Sequence, residues 1–188
     1  MSKLLNVSSS PHVRCGVSTK NLMYDVAIAM LPATIWGVMQ FGIYSLIVVV
    51  ATVLSCVLSE YLFETLMHKP VTISDGSALV TGMILGLNMP PAIPLWMPIL
   101  GGVFAIIVVK QLYGGLGQNW MNPALAARCF MLISFAQAMT KFTDPVTDAV
   151  ASATPLAAIK AGDTYDLAAM FIGKIPGTIG EVSVIALL

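Results

Sequence analysis

Five apolar runs, at positions 22–41, 43–67, 76–89, 95–112 and 123–139, take up most of the 188 residues. About 20 helical residues cover a hydrocarbon core of about 30 Å, so four of the runs come close to or exceed the length of a membrane crossing. The third run is short and carries Gly76, Gly82 and Gly86, which reads as a broken or tilted helix held by its neighbours rather than a lipid-facing rod. Hydrophobic residues make up 57% and charged residues 10% of the chain, too little charge to clothe a water-facing surface. The expected fold class is an all-α integral membrane protein: a polytopic transmembrane helical bundle of five spans plus the start of a sixth. A net charge of +0 offers no basic face to phosphates, so the bilayer is expected as a partner and nucleic acid is not. Cys15, Cys56 and Cys129 are far apart and without metal-ligand spacing, and read as small apolar filler.

Turn chemistry separates the runs: Phe41-Gly42, Lys69-Pro70, the cluster Pro90, Pro91 and Pro94, and the glycines Gly114, Gly115 and Gly117. Asn122-Pro123 reads as an N-cap followed by a first-turn proline. Residues 1–21 are polar and lack the apolar stretch of a cleavable signal peptide, so they are expected to form a cytoplasmic tail. The organisation read from these signals is a tail (1–21), a helical membrane domain (22–139), an outer-face loop (140–176) and the start of a further membrane helix (177–188). With the tail inside, Lys3, Arg14, Lys20, Lys69, Lys110 and Arg128 lie at or near the inner side, against Lys141, Lys160 and Lys174 outside. Five crossings from an inside tail carry 140–176 to the outer face. The final run, TIGEVSVIALL, reaches only about 16 Å as a helix, half a crossing, which suggests part of a longer polypeptide.

Charged residues within the runs are candidates for chemistry. Glu60, Glu64 and His68 recur every four residues and share one helical face. Interfacial snorkelling beside Lys69 or Lys20 accounts for Glu64 and His68, whereas Glu60 lies about 10 Å inside the boundary. Arg128, six residues past Asn122, lies at similar depth, and the expectation is that Glu60 and Arg128 pair or line a polar pocket. Asp25 reads as a first-turn acid on its helix dipole, and Trp96 and Trp120 as interfacial anchors. No carboxylate falls near the middle of a run, so no complete acid-based proton wire is legible. Asp75-Gly76-Ser77 caps the third run, and Gly180-Glu181-Val182-Ser183 repeats an acid, a spacer and a serine before an apolar stretch. Two such Gly-interrupted segments read either as ordinary N-caps or as the pointer to an inverted-repeat architecture of which this chain would be half. In the loop, Thr154-Pro155 reads either as an N-cap with a first-turn proline or as a hydroxyl displayed among small neighbours.

Several strings in order, SSPHVR, DVAIAMLPATIWGVMQFG, SDGSALVTGMILGLNMPP, GLGQNWMNPALAARCF, ASATPLAA and IPGTIGE, resemble the RnfD family, membrane components of the Rnf electron-transport complex. More distantly they resemble NqrB, the related component of the sodium-pumping NADH:quinone reductase. The resemblance implies a bacterial cytoplasmic (inner) membrane protein that carries FMN through a phosphoester made by a flavin transferase. The matching acceptor is Thr154, with Asp148 at the acidic position and Ser152, Ala153 and Pro155 around it. Ala151 and Ser152 depart from the family's usual Ser/Thr and Gly. A non-covalent riboflavin, partnership with the other Rnf subunits and a role in relaying electrons between ferredoxin and NAD, coupled to sodium or proton transport, are further implications. A flavin supplies electron chemistry that no side chain here could. A cofactor-free channel or transporter core, to which broken helices equally point, and a structural scaffold are the rival readings.

Overall fold

The computed structural model describes residues 16, 18–143, 150–151, 160 and 171–187. It is a bundle of helices that run back and forth in chain order. Helix α1 (Thr19–Ala29) is capped by the Ser18 hydroxyl and passes into α2 (Leu31–Phe41) through Met30. The interruption falls where Pro32, in the first turn of α2, has no N–H to continue the ladder. Because α1 begins at Thr19, Asp25 lies beyond its first turn, and the dipole reading of that acid does not hold. Gly42, at φ 81°, makes the tight reversal into α3 (Ile43–Leu66).

Helix α3 is apolar outside and polar inside. Leu54, Leu58, Leu62 and Leu66 are exposed along one stripe. The buried face holds Ser45, Thr52, Ser55, Ser59, Glu60 and Glu64. In lipid this inversion is favourable, because polar side chains find partners only within the bundle.

A short 3₁₀ turn (Ile73–Asp75) leads into α4 (Ser77–Leu87), whose 11 residues reach about 16 Å. Nine of the 11 are buried. Gly82 and Gly86, four apart, let α4 lie directly on α3: a Cβ at Gly82 would stand 2.7 Å from the Val53 Cα, and one at Gly86 3.0 Å from the Val49 Cα. The short run is therefore a helix enclosed by its neighbours, as its glycines imply.

Helix α5 (Trp96–Phe104) continues as a π-helical segment (Ala105–Lys110) and a 3₁₀ turn (Gln111–Tyr113). Helix α6 (Pro123–Ser134) starts at Asn122, whose side-chain oxygen accepts from the N–H groups of Ala124 and Leu125, and it ends at a break at Phe135 before α7 (Ala136–Met139). Strands β1 (Phe142–Thr143) and β2 (Val150–Ala151) then pair antiparallel, Phe142 opposite Ala151. The final helix (Val184–Leu187) begins later than the apolar run from Gly177 predicts. The residues before it fold back onto the end of α4, the N–H of Ile179 donating to the Met89 carbonyl (3.1 Å) and that of Gly180 to the Leu87 carbonyl (2.8 Å). Ile179 completes a core with Val48, Leu85, Met89, Ala127 and Met131.

The bundle has two ends. At the near end, α1 meets the start of α4, where Gly76 abuts Met23 and Tyr24, and Lys110 reaches the last turns of α3. At the far end, the Tyr44 hydroxyl donates to the Ile93 carbonyl and the rings of Trp96 and Phe135 meet edge to face at 5.2 Å. Trp96 and Trp120 are both exposed, in keeping with an anchoring role. Three helical stretches, Thr19–Phe41, Ile43–Leu66 and Trp96–Tyr113, are long and apolar enough to cross a membrane; α4 and α6 are shorter apolar helices.

Candidate functional site

The near end holds a buried polar cluster assembled from three parts of the chain. Helix α3 supplies Glu60 and Glu64 one turn apart, both inward-facing. Lys110 enters from the end of the π segment, whose wider turn shifts the facing of the residues after it relative to an uninterrupted α-helix. Ser77 comes from the first turn of α4.

Lys110 is 2% exposed and Glu60 0%. The Lys110 ammonium donates to Glu60 Oε1 and to Ser77 Oγ, both at 2.5 Å. Gln111 Nε2 donates to Glu60 Oε1 (2.9 Å) and to Glu64 Oε1 (3.3 Å). Glu64 also accepts from the Thr72 N–H (2.9 Å) and hydroxyl (2.5 Å). Asp75 Oδ1 accepts from both the N–H (2.8 Å) and the hydroxyl (2.6 Å) of Ser77. The capping expected of Asp75-Gly76-Ser77 is thus present and continuous with the cluster. A polar recess of about 310 Å³ opens beside it, lined by Glu64, Lys69, Thr72, Asp75 and Gln111 among others.

A second polar group lies at the other end of α4. Arg128 Nη1 donates to Asn88 Oδ1 and, at 3.0 Å, to Glu181 Oε1. Arg128 and Glu181 are 34% and 52% exposed. A cavity of about 330 Å³ adjoins them, bounded by the α1–α2 junction (Ala29, Met30, Ala33), the end of α4 (Leu87, Asn88) and Gly180.

These geometries correct two expectations. Glu60 pairs with Lys110 and Arg128 with Asn88 and Glu181; the two predicted partners belong to opposite ends of α4, which is about 16 Å long. Glu64 does not snorkel but is buried and held by Thr72 and Gln111. His68 is exposed at φ 52°, and Lys69 lies over the Phe63 ring. Cys56 is buried, in line with a filler role, whereas Cys129 is exposed. Sequence reasoning assigned no partner role to Lys110, Gln111, Ser77 or Thr72. The available signal was a lysine and a glutamine closing an apolar run, which by itself reads as an ordinary helix end.

Thr154, Asp148, Ser152, Ala153 and Pro155 lie outside the described residues. The described residues nearest to Thr154 in sequence are Val150 and Ala151 of β2, which pair with β1 on the chain leaving α7.

An apolar exterior, an inward-facing set of charges and helices of crossing length define an integral membrane protein of the helical-bundle class. The chain belongs to the NQR2, RnfD, RnfE family, whose model matches residues 6–188. It is 47% identical to the D subunit of the Na(+)-translocating ferredoxin:NAD(+) oxidoreductase complex of Acetobacterium woodii, over 98% of this chain and 60% of that protein. It is 40% identical to the D subunit of the proton-translocating ferredoxin:NAD(+) oxidoreductase complex of Clostridium ljungdahlii, with the same two shares covered. The D subunit of an ion-translocating oxidoreductase complex of Shewanella denitrificans is 40% identical over 82% of this chain and 45% of that protein. The chain thus spans about 60% of the length of the first two relatives.

Proposed function

We propose that this chain is part of a membrane electron-transport subunit in an ion-translocating ferredoxin:NAD oxidoreductase of the Rnf type, and that it carries FMN as a phosphoester on Thr154. The observation that carries the reading is the similarity along 98% of the chain to two proteins named as the D subunit of such complexes. Thr154 stands in an Ala-Ser-Ala-Thr-Pro string of small residues, a composition that suits modification by a flavin transferase, with Asp148 as the acid of the recognised segment. The bound flavin would supply one- and two-electron chemistry. The protein's share is to tether it and hold it against the neighbouring subunits of the complex.

The topology that goes with this reading is five passes from a cytoplasmic N-terminus in the bacterial inner membrane, with 140–176 on the outer face. The alternation of helix directions and the departure of β1 from the end of α7 support it. The cavity beside Asn88 and Glu181, apolar with a polar edge, is the proposed seat of a non-covalent riboflavin. The relatives from Acetobacterium woodii and Clostridium ljungdahlii differ in the ion they are named for, so the coupling ion is assigned only as sodium or proton.

Mass spectrometry of the Thr154 peptide from the assembled complex tests the reading. The expected result is a peptide heavier by one FMN less water, and a fluorescent band on a denaturing gel that Thr154→Ala abolishes. An unmodified peptide from an active complex would overturn it. A dark band from such a complex would favour the rival transporter core, which the meeting of α4 with the returning Ile179-Gly180 segment also resembles.

A further inference from the structure

The near-end cluster holds three carboxyl groups, Glu60, Glu64 and Asp75, with the buried ammonium of Lys110 among them and Lys69 on the adjoining recess. Three of its hydrogen bonds join end to end: Ser77 Oγ to Asp75 Oδ1 (2.6 Å), Lys110 Nζ to Ser77 Oγ (2.5 Å) and Lys110 Nζ to Glu60 Oε1 (2.5 Å). One end of this row opens to solvent, because Asp75 is half-buried and lines the polar recess. The other end is dry: Glu60 is 0% exposed, and its second oxygen, Oε2, is buried with no hydrogen-bond partner. A helix brace needs neither a path to solvent nor an unpartnered acid oxygen, which is costly to bury.

The geometry points to a proton relay, Asp75–Ser77–Lys110–Glu60, that loads a membrane-buried carboxyl from the near-end recess. In the loading step an Nζ–H bond of Lys110 breaks as an O–H bond forms on Glu60. Ser77 donates to the Asp75 carboxylate as the cluster stands; once Asp75 is protonated from the recess and the Ser77 hydroxyl turns toward the amine left on Lys110, that amine takes the hydroxyl proton and Ser77 Oγ takes the proton of the Asp75 carboxylic acid. Asp75, now a carboxylate, is reprotonated by water in the recess. One proton has moved from Asp75 to Glu60, Lys110 and Ser77 end as they began, and no electrons are exchanged. Glu64 faces this path through Gln111, Cys56 lies one turn before Glu60 on α3, and Lys69 lines the recess. Beyond Glu60 the hydrogen bonds continue only through the Gln111 amide, which donates to both Glu60 and Glu64 and passes no proton between them. The relay does not depend on flavin attachment at Thr154.

The test uses the complete subunit in its assembled complex, reconstituted in liposomes, with infrared difference spectra recorded across a pH step. The expected result is a protonated-carboxyl band that grows as pH falls and is absent in Glu60→Gln combined with Lys110→Met, a pair that removes both charges together. Its deuterium exchange is expected to slow about tenfold or more in Ser77→Ala, since one link of a hydrogen-bonded chain is gone, and likewise in Asp75→Asn. Ser77→Thr, which keeps the hydroxyl, should restore the rate. Should Ser77→Ala fail to assemble, Asp75→Asn at the solvent end decides alone. A band that survives in the double variant, exchange as fast in Asp75→Asn as in the parent, or a band erased at constant pH by exchanging potassium for sodium chloride would each overturn the relay.

Discussion

Lys110 and Glu60 are 50 residues apart in sequence and form an ion pair almost without solvent. Removing one member of such a pair leaves a charge in a low-dielectric interior and costs about 3–5 kcal/mol. Glu60→Gln and Lys110→Met should each lower the melting temperature of the detergent-solubilised complex, and the double variant should lose less than the sum. Glu60→Gln with Arg128→Gln, by contrast, should be additive within about 0.5 kcal/mol, because those residues share no partner. Equal coupling in the two cycles would contradict the observed pairing. Glu60 was legible as an oddity because an acid inside an apolar run demands an explanation. Its partner was not legible: helical periodicity carries no sign of a π turn, and depth along a helix does not say which neighbour a side chain faces. The same gap put Arg128 opposite the wrong acid. His68 presents a smaller effect. It sits in left-handed backbone at φ 52° just past α3, where a side chain costs about 1 kcal/mol relative to glycine. His68→Gly should raise the melting temperature, and a drop would show that its side chain makes a compensating contact.

At the scale of elements, α4 depends on the absence of two side chains. A methyl at Gly82 would meet the Val53 backbone 2.7 Å away, a contact that backbone cannot relieve by a rotamer change. Gly82→Ala should therefore push α4 off α3 and cost about 1–3 kcal/mol, read as a lower yield of assembled complex and a lower melting temperature. Unchanged values for both would mean that the two helices do not pack this closely. The turns and caps of the helices were readable: Gly42, Asn122 and the Asp75–Ser77 cap all act as their residue types dictate. The interruption at Phe135 was not, because an apolar run looks the same whether its backbone is continuous or broken; the one at Met30 was signalled by Pro32 but passed over. The segment before Val184 was misread for a related reason. Its apolar residues are buried by tertiary contact, with Ile179 and Val182 in the interior, while its backbone N–H groups serve α4 instead of a helix of their own.

For the whole molecule, the direction of successive helices places the start of α1 and the end of α7 at opposite ends of the bundle. In a background with Cys15 and Cys129 replaced by serine, Ser18→Cys and Lys141→Cys should react with a membrane-impermeant maleimide from opposite sides of sealed vesicles. Labelling of both from one side would mean that α4 does not complete a pass. The shortness of α4 has an electrical consequence as well. Its 11 residues separate solvent-touching Asp75 from the Arg128–Glu181 pair by about half the thickness of a hydrocarbon core. In an energised membrane, where a full crossing is worth about 2.3 kcal/mol per elementary charge per 100 mV, a charge carried the length of α4 would sample about half of that voltage.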